Sequence, residues 1–285
     1  MIRPTGAQRS PAGVEQPYLR GPRINVGDGW IGGSRRDGKF MPHPNCAYIP
    51  SPEEYDQNRF GICECESLAG ALATLGVRVG SGTPGGASPP SPLTLARLTN
   101  YHRGVVSDGG CRWIDAVEAL STYGVDAYRS DECDDGQVVT MRTPVDSELL
   151  KRATRHRYQV EWQCIDPHGP DAWDEICDAL ARGLVCQCEF GVTPEFEAIG
   201  VNEPAPPATL SGPDTAGHSV LIRGYDRRRN VLFGYTSWRG FARQHRRGGL
   251  VPGGFVIARE SVPALWAIRV IESALAIKAG CPGGV

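Results

Sequence analysis

The run "EYDQNRFGICECESLAGALATLG", Glu54 to Gly76, carries a turn straight into two cysteines and then into an alanine- and leucine-rich helix. Two chemistries fit such a start. A Cys-x-Cys pair, Cys63 and Cys65, could open a metal knuckle, or Cys63 could be a thiolate held at a helix N-terminus. Structural zinc sites generally use two residues between ligands, because that spacing lets the backbone wrap the ion. The other Cys-x-Cys, Cys186 and Cys188, falls in a strand pattern that puts both side chains on one face, as an ordinary core also requires. No metal is therefore expected. A helix N-terminus lowers a thiol pKa through the dipole and its free N–H groups. Gly61 permits the tight turn before it, so Cys63 is read as the nucleophile and Cys65 as packing.

The bulk numbers bound the rest. The 285 residues suffice for one large domain or two lobes sharing a core. Apolar content of 40% with 22% charged residues belongs to a globular chain. A net charge of -2 gives no general pull toward nucleic acid or an anionic membrane. No apolar run approaches the ~18 residues of a membrane span, and the first residues lack the apolar centre of a secretory signal. An intracellular or assembly-bound setting is expected over a secreted one. The ten cysteines are then expected as thiols, mostly small buried hydrophobes.

Two proline- and glycine-rich stretches, 79–92 and 202–217, read as long loops. Between them, "SPLTLARLTNYHRG" predicts a helix with Ser91 as cap, Pro92 in the first turn and Gly104 as stop. "WIDAVEALSTYG" places Ile114, Val117 and Leu120 on one side, and "DAWDEICDALARG" spaces Trp173, Ile176, Cys177 and Leu180 as an amphipathic helix. In "LVCQCEF", Leu184, Cys186, Cys188 and Phe190 alternate with Val185, Gln187 and Glu189. "HSVLIRGYD" and "NVLFGYTSW" predict a hairpin through "RRR", and "GGFVIA" a last strand. The "VPALWAIRVIESALAI" run is apolar with helical spacing in parts. Helices first and antiparallel strands second predict an α+β fold with two lobes. The basic "RQHRR" and acidic "DECDDG" runs read as solvated loops, and His102 as structural.

A thiolate nucleophile needs a histidine partner. Of six histidines, His218 stands after a glycine at the mouth of a long loop and opens an apolar strand, where a scaffold can present a catalytic side chain. Here the sequence resembles the papain-like cysteine peptidases. "DQNRFGIC" matches the family's glutamine, six residues before the nucleophile, with Gln57 and Cys63. "GHSVLIRGYD" matches the histidine strand, "TSWRG" the following Asn-Ser-Trp-Gly, and "SDGGCRW" the Gly-Gly segment. The matched segments run in family order from about Asn45 to Ile271.

The resemblance implies a papain-like two-lobed fold with residues 1–44 as an N-terminal arm and 45–285 as the peptidase domain. Roughly 55–150 would form the mainly helical lobe and 151–285 the mainly β lobe. It implies Cys63 as nucleophile, His218 as its proton partner, and Gln57 with the Cys63 N–H as the oxyanion hole. Thr236 stands where the family has the asparagine that orients the histidine. Its hydroxyl, one atom shorter, would reach through water or leave His218 poorly held. Gly109 and Gly110 would line the cleft, and Ser237 and Trp238 are retained. The family's aromatic residue after the nucleophile is Glu64, whose charge would oppose a thiolate. Phe60 replaces a cysteine that in many members pairs with the Gly-Gly segment, so Cys111 is not expected in that disulfide.

The expected activity is cysteine-peptidase hydrolysis of protein or peptide substrates, with no metal or organic cofactor. Acyl transfer and isopeptide hydrolysis use the same groups. The competing reading is a papain-fold module with a binding or structural role in a larger assembly.

Overall fold

The computed structural model describes residues 55, 57, 61–80, 87–106, 110–128, 142–199, 210, 216–238 and 254–277, and the backbone alone at 34–36, 39–41, 46–48, 204–205, 243–246 and 249–252. Three short strands, β1 (Ser34–Arg36), β2 (Lys39–Met41) and β3 (Cys46–Tyr48), precede helix α1 (Cys63–Thr74). Strands β4 (Val79–Gly80) and β5 (Ala87–Ser88) then lead to helices α2 (Pro92–Arg103), α3 (Trp113–Tyr123) and α4 (Ser147–Ala153). The second half alternates β6 (Tyr158–Ile165), α5 (Ala172–Ala181), β7 (Val185–Gly191), α6 (Pro194–Glu197) and β8 (Pro204–Ala205). It closes with β9 (Gly217–Asp226), β10 (Val231–Tyr235), β11 (Arg243–Arg246), β12 (Gly249–Pro252), β13 (Gly254–Ala258) and β14 (Ala267–Ala276).

The local signals explain the helices. Ser91 Oγ accepts the Thr94 N–H at 3.0 Å to cap α2, and Gly104 ends it at φ 64°, a left-handed conformation that costs glycine little. In α3 the inward face is Trp113, Ala116, Val117 and Leu120, with Ile114 only half-buried. Asp115 accepts the Arg112 N–H and two bonds from its guanidinium, satisfying an orphan donor of the first turn.

One sheet organises the molecule, in the order β6-β14-β7-β9-β10-β13-β8, with β3 also on β9. All its pairs are antiparallel except β13–β8. One face packs Cys186, Cys188, Phe190, Val220 and Ile222 against α5. The other packs Val185, Leu221 and Ile271 against α1, α2 and α3. Helix α1 lies close on β9: a Cβ at Gly70 would stand 2.8 Å from Leu221 Cδ1. This is an α+β architecture in which α1, α2 and α3 cover one face of a mainly antiparallel sheet and α5 covers the other.

Three expectations need correction. "GGFVIA" forms β13 but is not the last strand, because the run after it becomes β14, paired on both sides by β6 and β7. Ladder bonds on two edges outweigh a helical spacing that was only partial. "RQHRR" is no loop: its backbone forms β11, paired with β12. The two long loops hold short ladders at their ends, β4 on β5 and β8 on β13. Residues 1–33, "DECDDG" and Gly109 lie outside the described residues.

Candidate active site

Cys63 is the first residue of α1, and His218 is the second of β9, the strand on which α1 packs. Thr236 and Ser237 follow directly after β10, which is hydrogen-bonded to β9. Contacts join Gln57, His218, Thr236, Ser237 and Trp238 from three distant segments, and Cys63 opens the helix that packs on the His218 strand.

Thr236 reaches the imidazole without help. Its Oγ1 lies 2.6 Å from His218 Nε2, so the expectation of a bridging water or a badly held ring is overturned. The shorter side chain suffices because the chain turns at Thr236, and the Trp238 N–H donates to the same oxygen at 3.4 Å. The ring is held on its faces as well. Trp238 stacks on it at 4.1 Å and 20°, and Phe190 meets it edge-on at 5.9 Å. Aromatic walls exclude water and strengthen the polar contact between them. Trp238, 3% exposed, roofs His218 with this face.

Gln57 is tied to the same turn twice. Its N–H donates to the Ser237 carbonyl at 3.1 Å, and its Oε1 accepts the Ser237 hydroxyl at 2.7 Å. The oxygen is thus the accepting end of this amide and the side-chain NH₂ its donor end. Gly110, at φ 78°, has its carbonyl bound by Arg103 at 2.9 Å. Arg103 also meets the Asp115 carboxylate at 3.4 Å, fixing the turn that follows the Gly-Gly segment. His102 pairs with Glu118 at 3.2 Å, away from this constellation.

Cys63, His218 and Gln57 show no exposed surface, and Thr236 is 1% exposed, so the thiol is closed to solvent in this structure. Cys65 is buried with its sulfur 3.7 Å from Cys111 Sγ and 3.8 Å from Thr99 Oγ1. All three belong to the packing behind α1. The Cys65 contact and burial push the Cys111 thiol pKa well up. Burial likewise pushes Cys164 to about 11 and Cys177 to about 12, and raises Cys186 and Cys188 strongly. No group of three or more His, Cys, Asp or Glu among the described residues is arranged to hold a metal. Among them, no helix is long and apolar enough to cross a membrane.

The polar face of β7 is a surprise. Alternation along "LVCQCEF" held, yet Gln187 and Glu189 are buried as completely as Cys186 and Cys188, because α1 covers their face. Gln187 Nε2 donates to Ser219 Oγ at 2.7 Å and to Glu64 Oε2 at 3.3 Å, while its Oε1 accepts from Arg269 at 2.8 Å. Ser219 donates on to Ser67 at 3.0 Å. Arg269 is ion-paired with Glu189 and lies 5.5 and 5.9 Å from the Trp113 and Trp162 rings. Burial first, then the neighbouring Glu189, raises the Glu64 pKa well above the ordinary carboxyl value. Burial thus works against the charged form of Glu64, in the opposite sense to the full negative charge expected beside the thiolate. None of Gln187, Glu189, Ser219 or Arg269 was singled out from sequence. The available signal was polar residues on alternate positions of otherwise apolar strands.

Solved structures share this fold. Xylellain, a cysteine protease from Xylella fastidiosa, superposes with a TM-score of 0.62 at 20% identity, over 93% of this chain and 98% of its own. The proCathepsin B S9 from Trypanosoma congolense gives 0.60 at 14% identity, over 95% and 87%. A structure bearing on the mite allergens Blo t 1 and Der p 1 gives 0.58 at 13%, over 85% and 75%. No protein-family model and no curated protein matches the chain. In its architecture, the chain has the fold of the papain-like cysteine proteases.

Proposed function

We propose that the protein is a cysteine peptidase that cleaves peptide bonds with Cys63 and His218. The observation that carries this reading is the 2.6 Å contact between Thr236 and His218 Nε2. With Nε2 engaged by Thr236, the reading assigns Nδ1 as the nitrogen that exchanges a proton with the thiol. A fold retained only for binding has no need of an imidazole clamped by a hydroxyl and two aromatic rings. In the reaction the Cys63 sulfur attacks the substrate carbonyl carbon. The His218 imidazolium then protonates the leaving amine, and water attacks the thioester to release the acid and regenerate the thiol. The Gln57 NH₂ and the Cys63 N–H stabilise the oxyanion, a donor of this kind contributing about 10²–10³ in rate. Gly109 and Gly110 would pair with the substrate backbone, as the resemblance implies.

The closed state of Cys63 favours a second reading, a papain-fold module acting by binding within a larger assembly. Labelling the native protein with an epoxide thiol inhibitor separates the two. The peptidase reading expects modification at Cys63, abolished by His218→Ala. Absence of Cys63 labelling in a folded protein supports the binding module.

A further inference from the structure

Cys63 and His218 are each followed by a residue that belongs to one buried polar unit. Glu64 and Ser67, three apart, share one side of α1 near its N-terminus, and Ser219 follows His218 on β9. Gln187 on β7 stands between them, donating one N–H to Glu64 and the other to Ser219, which reaches Ser67. Its carbonyl is bound by Arg269, so every polar atom of the Gln187 side chain has a partner. Such an amide has one orientation, and it sets the spacing of the elements it joins.

We propose that Glu64 is a positioning residue for the Cys63 thiol, docking the first turn of α1 on Gln187 and Glu189 and thereby fixing it relative to the His218 strand. This deepens the peptidase reading and rests on it. Charge balance demands a particular state of the unit. Two buried carboxyls, Glu64 and Glu189, face one guanidinium, and an uncompensated buried charge is expensive. Glu189 is the ion-pair partner of Arg269. Glu64 Oε1 is buried with no hydrogen-bond partner among the described residues, and on this proposal Glu64 carries a proton that it shares with the Glu189 carboxylate. The other titratable groups facing Glu64 are the Cys111 thiol, behind α1, and Cys188 on β7. Both stay neutral near pH 7.

Three variants of the full chain test this. Infrared spectroscopy at neutral pH should show a protonated-carboxyl band that disappears in Glu64→Gln. The pH midpoint for alkylation of Cys63 by iodoacetamide should be unchanged in Glu64→Gln, which keeps an uncharged hydrogen-bonding group. In Glu189→Gln the midpoint should rise by about one unit, because Glu64 then ionises to pair with Arg269 beside the thiol. Glu64→Leu should slow alkylation about tenfold and raise amide exchange at residues 64–67, whereas Glu64→Gln should restore both. A midpoint that falls by about a unit in Glu64→Gln would show a carboxylate at that site and overturn the proposal. Wild-type exchange protection in Glu64→Leu would overturn it too. Should Cys63 resist alkylation in the wild type, the peptidase reading fails, while the infrared band and the exchange at 64–67 still decide the role of Glu64.

Discussion

Thr236 and His218 are joined by a direct 2.6 Å contact between Oγ1 and Nε2, with no bridging atom between hydroxyl and ring. Thr236→Val keeps the shape and removes the contact. Its rate of Cys63 alkylation by the epoxide should fall about tenfold, equivalent to ~1.4 kcal/mol. Thr236→Asn, by contrast, should bring no gain, since the extra atom must displace a ring already clamped between Trp238 and Phe190. A several-fold increase in that variant would show that the threonine leaves the ring poorly held.

Gln57 depends on Ser237. Ser237→Ala removes the hydroxyl that holds Oε1, freeing the amide to rotate away from the oxyanion. Peptide hydrolysis should drop several-fold with KM little changed, and Gln57→Ala should cost about 10²–10³ in kcat. Equal losses in the two variants would mean that Ser237 does more than orient the glutamine.

Thiol selectivity follows from burial. All seven described cysteines are buried, so exposure does not rank them. Limited iodoacetamide at neutral pH should modify Cys63 first, because Cys164 and Cys177 are held up near 11 and 12 and Cys111, Cys186 and Cys188 are also raised. Peptide mapping showing Cys188 labelled ahead of Cys63 would contradict this. The same shifts have a stability sign. A thiol whose folded pKa exceeds its ordinary 9.0 favours the native state below about pH 9, and that contribution is lost as pH rises. Urea midpoints should therefore decline between pH 9 and about 12, the value of Cys177.

Asp115 should behave in the opposite sense. Burial works to raise its pKa, but the bonds from Arg112 outweigh it and the net shift is downward. The stabilisation is present above the ordinary 3.8 and lost as pH falls through the lower folded value. Asp115→Asn should cost about 1–3 kcal/mol by urea unfolding near pH 7, with a smaller difference in acid.

What could be read from the sequence followed how local each signal is. Ser91, Pro92 and Gly104 delimit α2 through contacts within three residues, so they were legible. Gln57, Cys63 and His218 were singled out by spacing within short motifs, and the structure sets Gln57 on Ser237 and His218 on Thr236. The contact of Thr236 was not, since it depends on the angle of a turn rather than on side-chain length. Nor was the buried polar unit. Gln187 and Glu189 look like a solvent-facing set until α1 lies across them, and that depends on pairing between residues more than a hundred apart. The helical pattern in the run that became β14 failed for the same reason: its two neighbouring strands are distant in sequence.

The two bonds between Gln57 and Ser237 span 180 residues. During synthesis the nucleophile and its helix emerge early, but the turn that anchors the glutamine emerges only after β10. Contacts this far apart form late and slowly, because the intervening loop must be closed first. A nascent chain thus holds Gln57 without its Ser237 anchor for most of its elongation, and the two segments are joined only once the late strands have formed.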